Sequence, residues 1–121
     1  MHLRASLLAR ALGTLLASLS LPAAAAITIN GTTGNDVIDV SSSPEAHFIY
    51  AKKGSDLVYG SSAGDLLDGA AGNDRLFGNS GDDLIFGGAG NDTLFGGAGN
   101  DEFRFAGTDL FYDEIDGGSG F

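Results

Sequence analysis

GSSAGDLLD (60–68), GAAGNDRLF (69–77), GNSGDDLIF (78–86), GGAGNDTLF (87–95) and GGAGNDEFR (96–104) follow one another without a gap. Each phrase opens on glycine, carries aspartate at position 6 and an apolar residue at position 8. The phrasing continues upstream in weaker form. Residues 51–59 keep Gly54, Asp56 and Val58, and residues 31–39 keep Gly31, Gly34, Asp36 and Ile38. Between them, residues 42–50 fit after a two-residue insertion, Val40-Ser41, with Glu45 in place of the second glycine and His47 in place of the aspartate. Position 8 is apolar throughout: Ile38, Ile49, Val58, Leu67, Leu76, Ile85, Leu94 and Phe103. A fixed short period of this kind is the mark of a solenoid, in which each repeat buries its apolar side against its neighbours.

Within a phrase, positions 1 to 6 are turn material and positions 7 to 9 are a short strand. Glycine at positions 1 and 4 allows backbone dihedrals that other residues resist. Strand alternation then sends position 8 inward and positions 7 and 9 outward. The phrase resembles the G-G-x-G-x-D nonapeptide of the RTX (hemolysin-type) calcium-binding proteins. The resemblance spans residues 31–104 and is closest from 60 to 101. It implies an all-β fold, a right-handed parallel β-roll with two phrases to each coil.

Stacked in that way, the aspartates form two columns. One carries Asp56, Asp74 and Asp92, with Asp36 as an outer member, and the other carries Asp65, Asp83 and Asp101. In the family each Ca²⁺ is held by loop carbonyls and the position-6 aspartates of two such turns. Carried over, this implies sites at Asp65/Asp83, Asp83/Asp101, Asp74/Asp92 and Asp56/Asp74, with the carbonyls of Gly72, Gly81, Gly90 and Gly99. Lys52 and Lys53 put positive charge in the loop before Asp56, and the Val40-Ser41 insertion threatens the register of Asp36.

The charge balance points the same way. All 16 acidic residues lie beyond Ala26, against Lys52, Lys53, Arg75 and Arg104. Carboxylates ~5 Å apart repel by about 0.8 kcal/mol in water and about 3 kcal/mol at an effective dielectric of 20. A divalent ion between coils turns that repulsion into attraction. Carboxylate and carbonyl oxygens suit a hard ion of high, flexible coordination, hence calcium; no thiol or histidine cluster favours zinc or copper. Metal-free turn chemistry is the competing reading, but asparagine would serve that purpose at position 6 without the charge.

The same composition excludes other classes. No basic patch is present to displace counterions from nucleic acid, and an anionic membrane would repel the chain. With no cysteine there is no disulfide framework. Arg4 and Arg10, the apolar run Ala11–Leu21, and Pro22 leading into Ala23–Ala26 read as a secretory signal peptide over residues 1–26. The expected organisation is that signal, a β-roll over 27–104 (degenerate at 31–59, regular at 60–104), and a segment 105–121. In that last segment Phe105, Leu110, Phe111, Tyr112 and Ile115 suit a cap, while Gly117–Phe121 begins a further phrase, as in a fragment of a longer protein.

No catalytic constellation is expected. Gly60–Gly64 satisfies G-x-S-x-G around Ser62, but it is the start of a repeat with no helix to follow. His47 reads as a surface residue in a degenerate turn. The outward positions carry Tyr59, Phe77 and Phe95 with Leu57 on one face, and Phe48, Tyr50, Leu66, Leu84 and Phe86 on the other. Such faces suggest a covering partner, a second copy or the tail. The expected function is calcium binding coupled to folding in a secreted, extracellular module. The alternatives are an accessory segment of a larger secreted enzyme or toxin, and a calcium-dependent structural or adhesive repeat.

Overall fold

A computed structural model describes residues 26–105 and 113–120. Residues 1–25 of the expected signal peptide, along with Leu110, Phe111 and Tyr112, lie outside the described residues. Ten strands and no helix occur among them: β1 (Ile27–Asn30), β2 (Val37–Asp39), β3 (His47–Tyr50), β4 (Leu57–Tyr59), β5 (Leu66–Asp68), β6 (Arg75–Phe77), β7 (Leu84–Phe86), β8 (Thr93–Phe95), β9 (Glu102–Arg104) and β10 (Glu114–Asp116). Odd-numbered strands form one parallel sheet, in the order β1-β3-β5-β7-β9, and even-numbered strands form the other, in the order β10-β8-β6-β4-β2. Each coil therefore contributes one strand to each sheet, and successive coils stack at roughly the 4.8 Å strand spacing. This is the parallel β-roll that the family resemblance implies.

The register is the nine-residue phrase taken twice. Leu66 lies against Leu84, and Leu84 against Glu102; Leu57 lies against Arg75, and Arg75 against Thr93. The Val40-Ser41 insertion leaves that register intact, because Ile38 still pairs with Val58. The extra residues are taken up by a turn in which Ser43 N–H donates to Val40 O at 2.8 Å. A second insertion precedes β10, where Glu114 pairs with Thr93 and Ile115 with Leu94. The turns are stacked as well, with Lys53, Ala71 and Ala89 bridged in series, and Ser80, Ala98 and Ser119 likewise.

The core is the position-8 pair of columns. Ile49, Leu67, Leu76, Ile85 and Leu94 are fully buried, with Val58 and Ala51 beside them. Ile29, Ile38, Val40 and Phe103 close the ends in partly buried positions. Fully burying one such aliphatic side chain contributes about 1.5–3 kcal/mol, so each coil adds two of these to a core only two side chains wide. Outward, Tyr59, Phe77 and Phe95 stack in a ladder, with ring centroids 4.9 and 4.7 Å apart.

Candidate metal centre

The turns owe their shape to glycine at position 4. Gly72 has φ +129°, and a Cβ there would overlap the carbonyl oxygen of Gly54 in the coil before. The carbonyl oxygens of Gly54, Gly72 and Gly81 thus occupy the places that side chains on Gly72, Gly90 and Gly99 would need. At position 1 glycine is needed for a different reason. A Cβ on Gly69 would stand 2.5 Å from Asp74 Oδ2 and 2.7 Å from the Gly87 carbonyl oxygen, so the space of that side chain is taken by oxygen atoms.

The position-6 residues form the two expected columns, joined through their backbones. Asp36 N–H donates to Asp56 Oδ1 at 2.7 Å, Asp56 to Asp74 at 2.8 Å, and Asp74 to Asp92 at 2.8 Å. In the second column His47 N–H donates to Asp65 Oδ1 at 2.8 Å, Asp65 to Asp83 at 2.7 Å, and Asp83 to Asp101 at 2.9 Å. Position 5 runs a ladder of the opposite sense, in which Ser55 N–H donates to Asn35 Oδ1 and Asn91 N–H to Asn73 Oδ1. Asp82 does the work of asparagine there, accepting from Asn100 N–H at 2.9 Å while itself exposed.

In Asp56, Asp74, Asp83 and Asp101 one carboxylate oxygen is therefore held, and the other is not. The Oδ2 atoms of Asp56, Asp74, Asp83 and Asp101 are buried and accept no hydrogen bond. Asp56, Asp74 and Asp83 are 1–2 % exposed. Burial pushes the Asp74 carboxyl up to about 7 and that of Asp83 up to about 8, from an ordinary 3.8; the bond from the preceding backbone N–H opposes this, and neighbouring carboxylates add to it. Asp56 is raised by the same burial. Leaving a buried acceptor unsatisfied costs about 1–3 kcal/mol, more when it is charged, so these oxygens suit a cation.

Two of the aspartate-bearing phrases are built differently. In 51–59, 69–77 and 78–86, position 2 takes a left-handed φ: +80° at Lys52, +68° at Ala70 and +74° at Asn79. Gly88 and Gly97 do the same in the next two phrases, at +92° and +91°. Thr32 and Ser61, which hold position 2 of 31–39 and 60–68, do not. Their backbone N–H groups donate to Oδ2 of their own aspartates, Thr32 to Asp36 at 2.6 Å and Ser61 to Asp65 at 2.6 Å. Their hydroxyls reach the same carboxylates at 2.9–3.1 Å in one turn and 3.0 Å in the other.

Asp56, Asp65, Asp74, Asp83, Asp92 and Asp101 are thus brought into two columns, and Asp36 is in register with the first. Among the described residues no three acidic or histidine side chains converge on one point. Beside their column neighbours, Asp74 feels the Asp68 carboxylate and Asp83 that of Asp82, and main-chain oxygens such as that of Gly87 stand near the free Oδ2 atoms. His47 departs from its expected place at the surface. It is 2 % exposed, because it fills the core-side slot that aspartate fills elsewhere, with Nδ1 3.5 Å from Asp65 Oδ1. Asp113 is a functional candidate that the nine-residue pattern misses; it accepts Asp92 N–H at 2.9 Å and so extends the first column. Its only sequence signal is the Asp-Glu-Ile-Asp string, an aspartate two residues ahead of an apolar residue.

A family model for the RTX calcium-binding nonapeptide repeat, written as four copies, matches residues 28–42, 48–76 and 68–103. Comparisons with curated proteins and with solved structures return no match. The matched stretches cover the strands and turns that build both aspartate columns, and the chain belongs to the family of RTX calcium-binding nonapeptide repeats.

Proposed function

We propose that the chain is a calcium-binding module whose β-roll is completed by the ions it takes up. The observation that carries this reading is the repeated buried Oδ2 without a hydrogen bond, at Asp56, Asp74, Asp83 and Asp101. A donor set of carboxylate and carbonyl oxygen suits Ca²⁺. Asp56, Asp74 and Asp92 would hold it along one column, and Asp83 and Asp101 along the other. The main-chain donors in this reading are position-1 carbonyls, Gly87 O beside Asp74 Oδ2 and Gly96 O beside Asp83 Oδ2, whereas the carbonyl oxygens of Gly72, Gly81 and Gly99 lie against Gly90, Gly99 and Gly120 of the next coil.

Bound calcium supplies the positive charge that buried carboxylates require. The chain's own residues prepare the site. Left-handed glycines curl the turn, backbone N–H groups fix one oxygen of each carboxylate, and the aliphatic columns keep water from the other side. Binding several ions to the folded state alone stabilises it by linkage, so folding and calcium uptake are coupled. Extracellular sites of this type work at about 10⁻⁴–10⁻³ M, which fits a module that folds once outside the cell.

Far-UV circular dichroism of the chain during a calcium titration, with magnesium as control, tests the proposal. A cooperative gain of β signal with calcium alone supports it. A chain already folded in chelator and indifferent to calcium would reduce the aspartates to turn formers. A second reading, a calcium-dependent structural repeat that self-associates, is favoured by the Tyr59–Phe77–Phe95 ladder on the outer face.

A further inference from the structure

We infer that Thr32 and Ser61 are latches that close their own turns to calcium, so that the first aspartate of each column is held by the protein itself. The inference rests on the calcium reading above and says which turns that reading does not reach. Asp65 is the clearest case. Its Oδ2 accepts from Ser61 N–H at 2.6 Å and from the Ser61 hydroxyl at 3.0 Å, and its Oδ1 accepts from His47 N–H at 2.8 Å. Ser61 is fully buried, so these bonds face no competition from water. The hydroxyl is itself oriented, because its oxygen accepts Ala63 N–H at 3.1 Å.

The same set of bonds occurs independently at Asp36. There Thr32 N–H donates to Oδ2 at 2.6 Å, the hydroxyl donates to the carboxylate, and Gly34 N–H donates to the Thr32 hydroxyl oxygen at 3.1 Å. By contrast, the turns with left-handed position 2 turn that amide away, and their Oδ2 atoms at Asp56, Asp74, Asp83 and Asp101 accept nothing. Asp65, 3 % exposed, is not among the buried acceptors left unsatisfied, whereas Asp36 is half-buried and its bonds to Thr32 lie at the surface. A hydroxyl and an amide thus replace the cation where calcium would otherwise be needed.

The backbone agrees with this division. Latched turns do not need glycine at position 4. The phrase 60–68 has Ala63 there, and Gly34 in 31–39 lies outside the left-handed region, with only the Thr32 hydroxyl oxygen, at 3.7 Å, near its missing side chain. Both latches stand where an aspartate column begins, Asp36 at the head of one and Asp65 just after His47 in the other. The N-terminal coils therefore form a ledge held by hydrogen bonds, on which the calcium-dependent coils stack.

Counting ions by titration calorimetry on the full chain tests the latch. Thr32→Gly rebuilds 31–39 as an ordinary repeat and is expected to bind one more calcium per chain than the wild type. The double variant Ser61→Gly with Ala63→Gly is expected to do the same at 60–68. Thr32→Ser keeps the hydroxyl and leaves the count unchanged. An unaltered count in both opened variants, with β signal intact, overturns the latch. A wild type that binds no calcium overturns the calcium reading instead. Should the opened variants fail to fold, an anomalous-scattering map of calcium-saturated wild-type crystals decides the matter. The latch predicts no ion on the carboxylates of Asp36 or Asp65, and an ion on either would refute it.

Discussion

Replacing Gly72 with alanine should unseat one coil from the next, whereas the same change at Gly34, also at position 4, should be tolerated. At Gly72 the φ of +129° is one that side-chain-bearing residues avoid; holding alanine in such a conformation costs on the order of 1–3 kcal/mol. The added carbon would overlap Gly54 O and lie 2.6 Å from the Gly54 carbonyl carbon. Carbon atoms settle at about 3.5–4.0 Å, so the coils must part by on the order of 1 Å. That movement strains the Gly54 N–H to Ala71 O and Ala71 N–H to Lys52 O bonds, 3.0 and 2.9 Å long. At about 1 kcal/mol each, and after about 0.5–1 kcal/mol returned by the stiffer unfolded chain, the net loss is about 3 kcal/mol. Gly34 has no such clash, its nearest neighbour being Thr32 Oγ1 at 3.7 Å. Urea unfolding at saturating calcium measures both variants. Gly72→Ala within about 1 kcal/mol of the wild type, or Gly34→Ala as damaging as Gly72→Ala, would refute the account of how the turns are packed.

The metal-free chain should respond to pH in the sense opposite to an ordinary salt-bridged protein. Asp74 and Asp83 are raised to about 7 and about 8 in the fold by burial, so the folded state keeps protons that the unfolded chain has released. Their contribution is fully present below about 4 and is lost as pH rises through 7 and 8; β signal in chelator should therefore be greater at pH 5 than at pH 8.5, and an equal or reversed signal contradicts this. Leu76→Ala, at a fully buried core position, should cost about 2–5 kcal/mol, seen as a lowered thermal midpoint at saturating calcium. Exchanging both Phe77 and Phe95 for serine should leave calcium binding unchanged and alter sedimentation, because these stacked rings point away from the core; unaltered sedimentation would remove the case for a covered face.

Much of the fold is legible in the chain because the period carries it. Position 8 is apolar in every phrase, so the core columns from Ile38 to Phe103 can be read from the residues alone, whereas the pairing of Asp74 with Asp92 and of Asp83 with Asp101 rests on the two-phrase coil that the family resemblance implies. Whatever the period does not govern is not legible in this way. The Val40-Ser41 insertion threatens the register of Asp36 on paper, yet the loop absorbs it locally and Asp36 N–H still reaches Asp56. Asp113 is hidden by a longer offset, β10 lying 21 residues from β8 in place of the usual 18. His47 reads as exposed because a polar residue in a degenerate turn usually is, but its slot is defined by the coils on either side and lies inside. The roles of Thr32 and Ser61 depend on which way a backbone amide points, and no residue pattern records that directly. A hydroxyl at position 2 together with Ala63 at position 4 is the nearest sign of it.

The central claim is that the buried position-6 carboxylates are present for calcium rather than for turn geometry, and Asp83→Asn tests it most directly. Asparagine keeps the shape and the Oδ1 that accepts Asp65 N–H at 2.7 Å, removes the charge, and puts an NH2 donor where the free Oδ2 stands. A calcium titration followed by far-UV circular dichroism, with wild type and variant side by side, is the measurement. The account predicts that the variant loses calcium affinity and needs a higher concentration for the same β signal, while its signal in chelator is equal to or greater than that of the wild type. A variant with an unchanged calcium midpoint would contradict it, and would leave Asp83 as a turn residue alone.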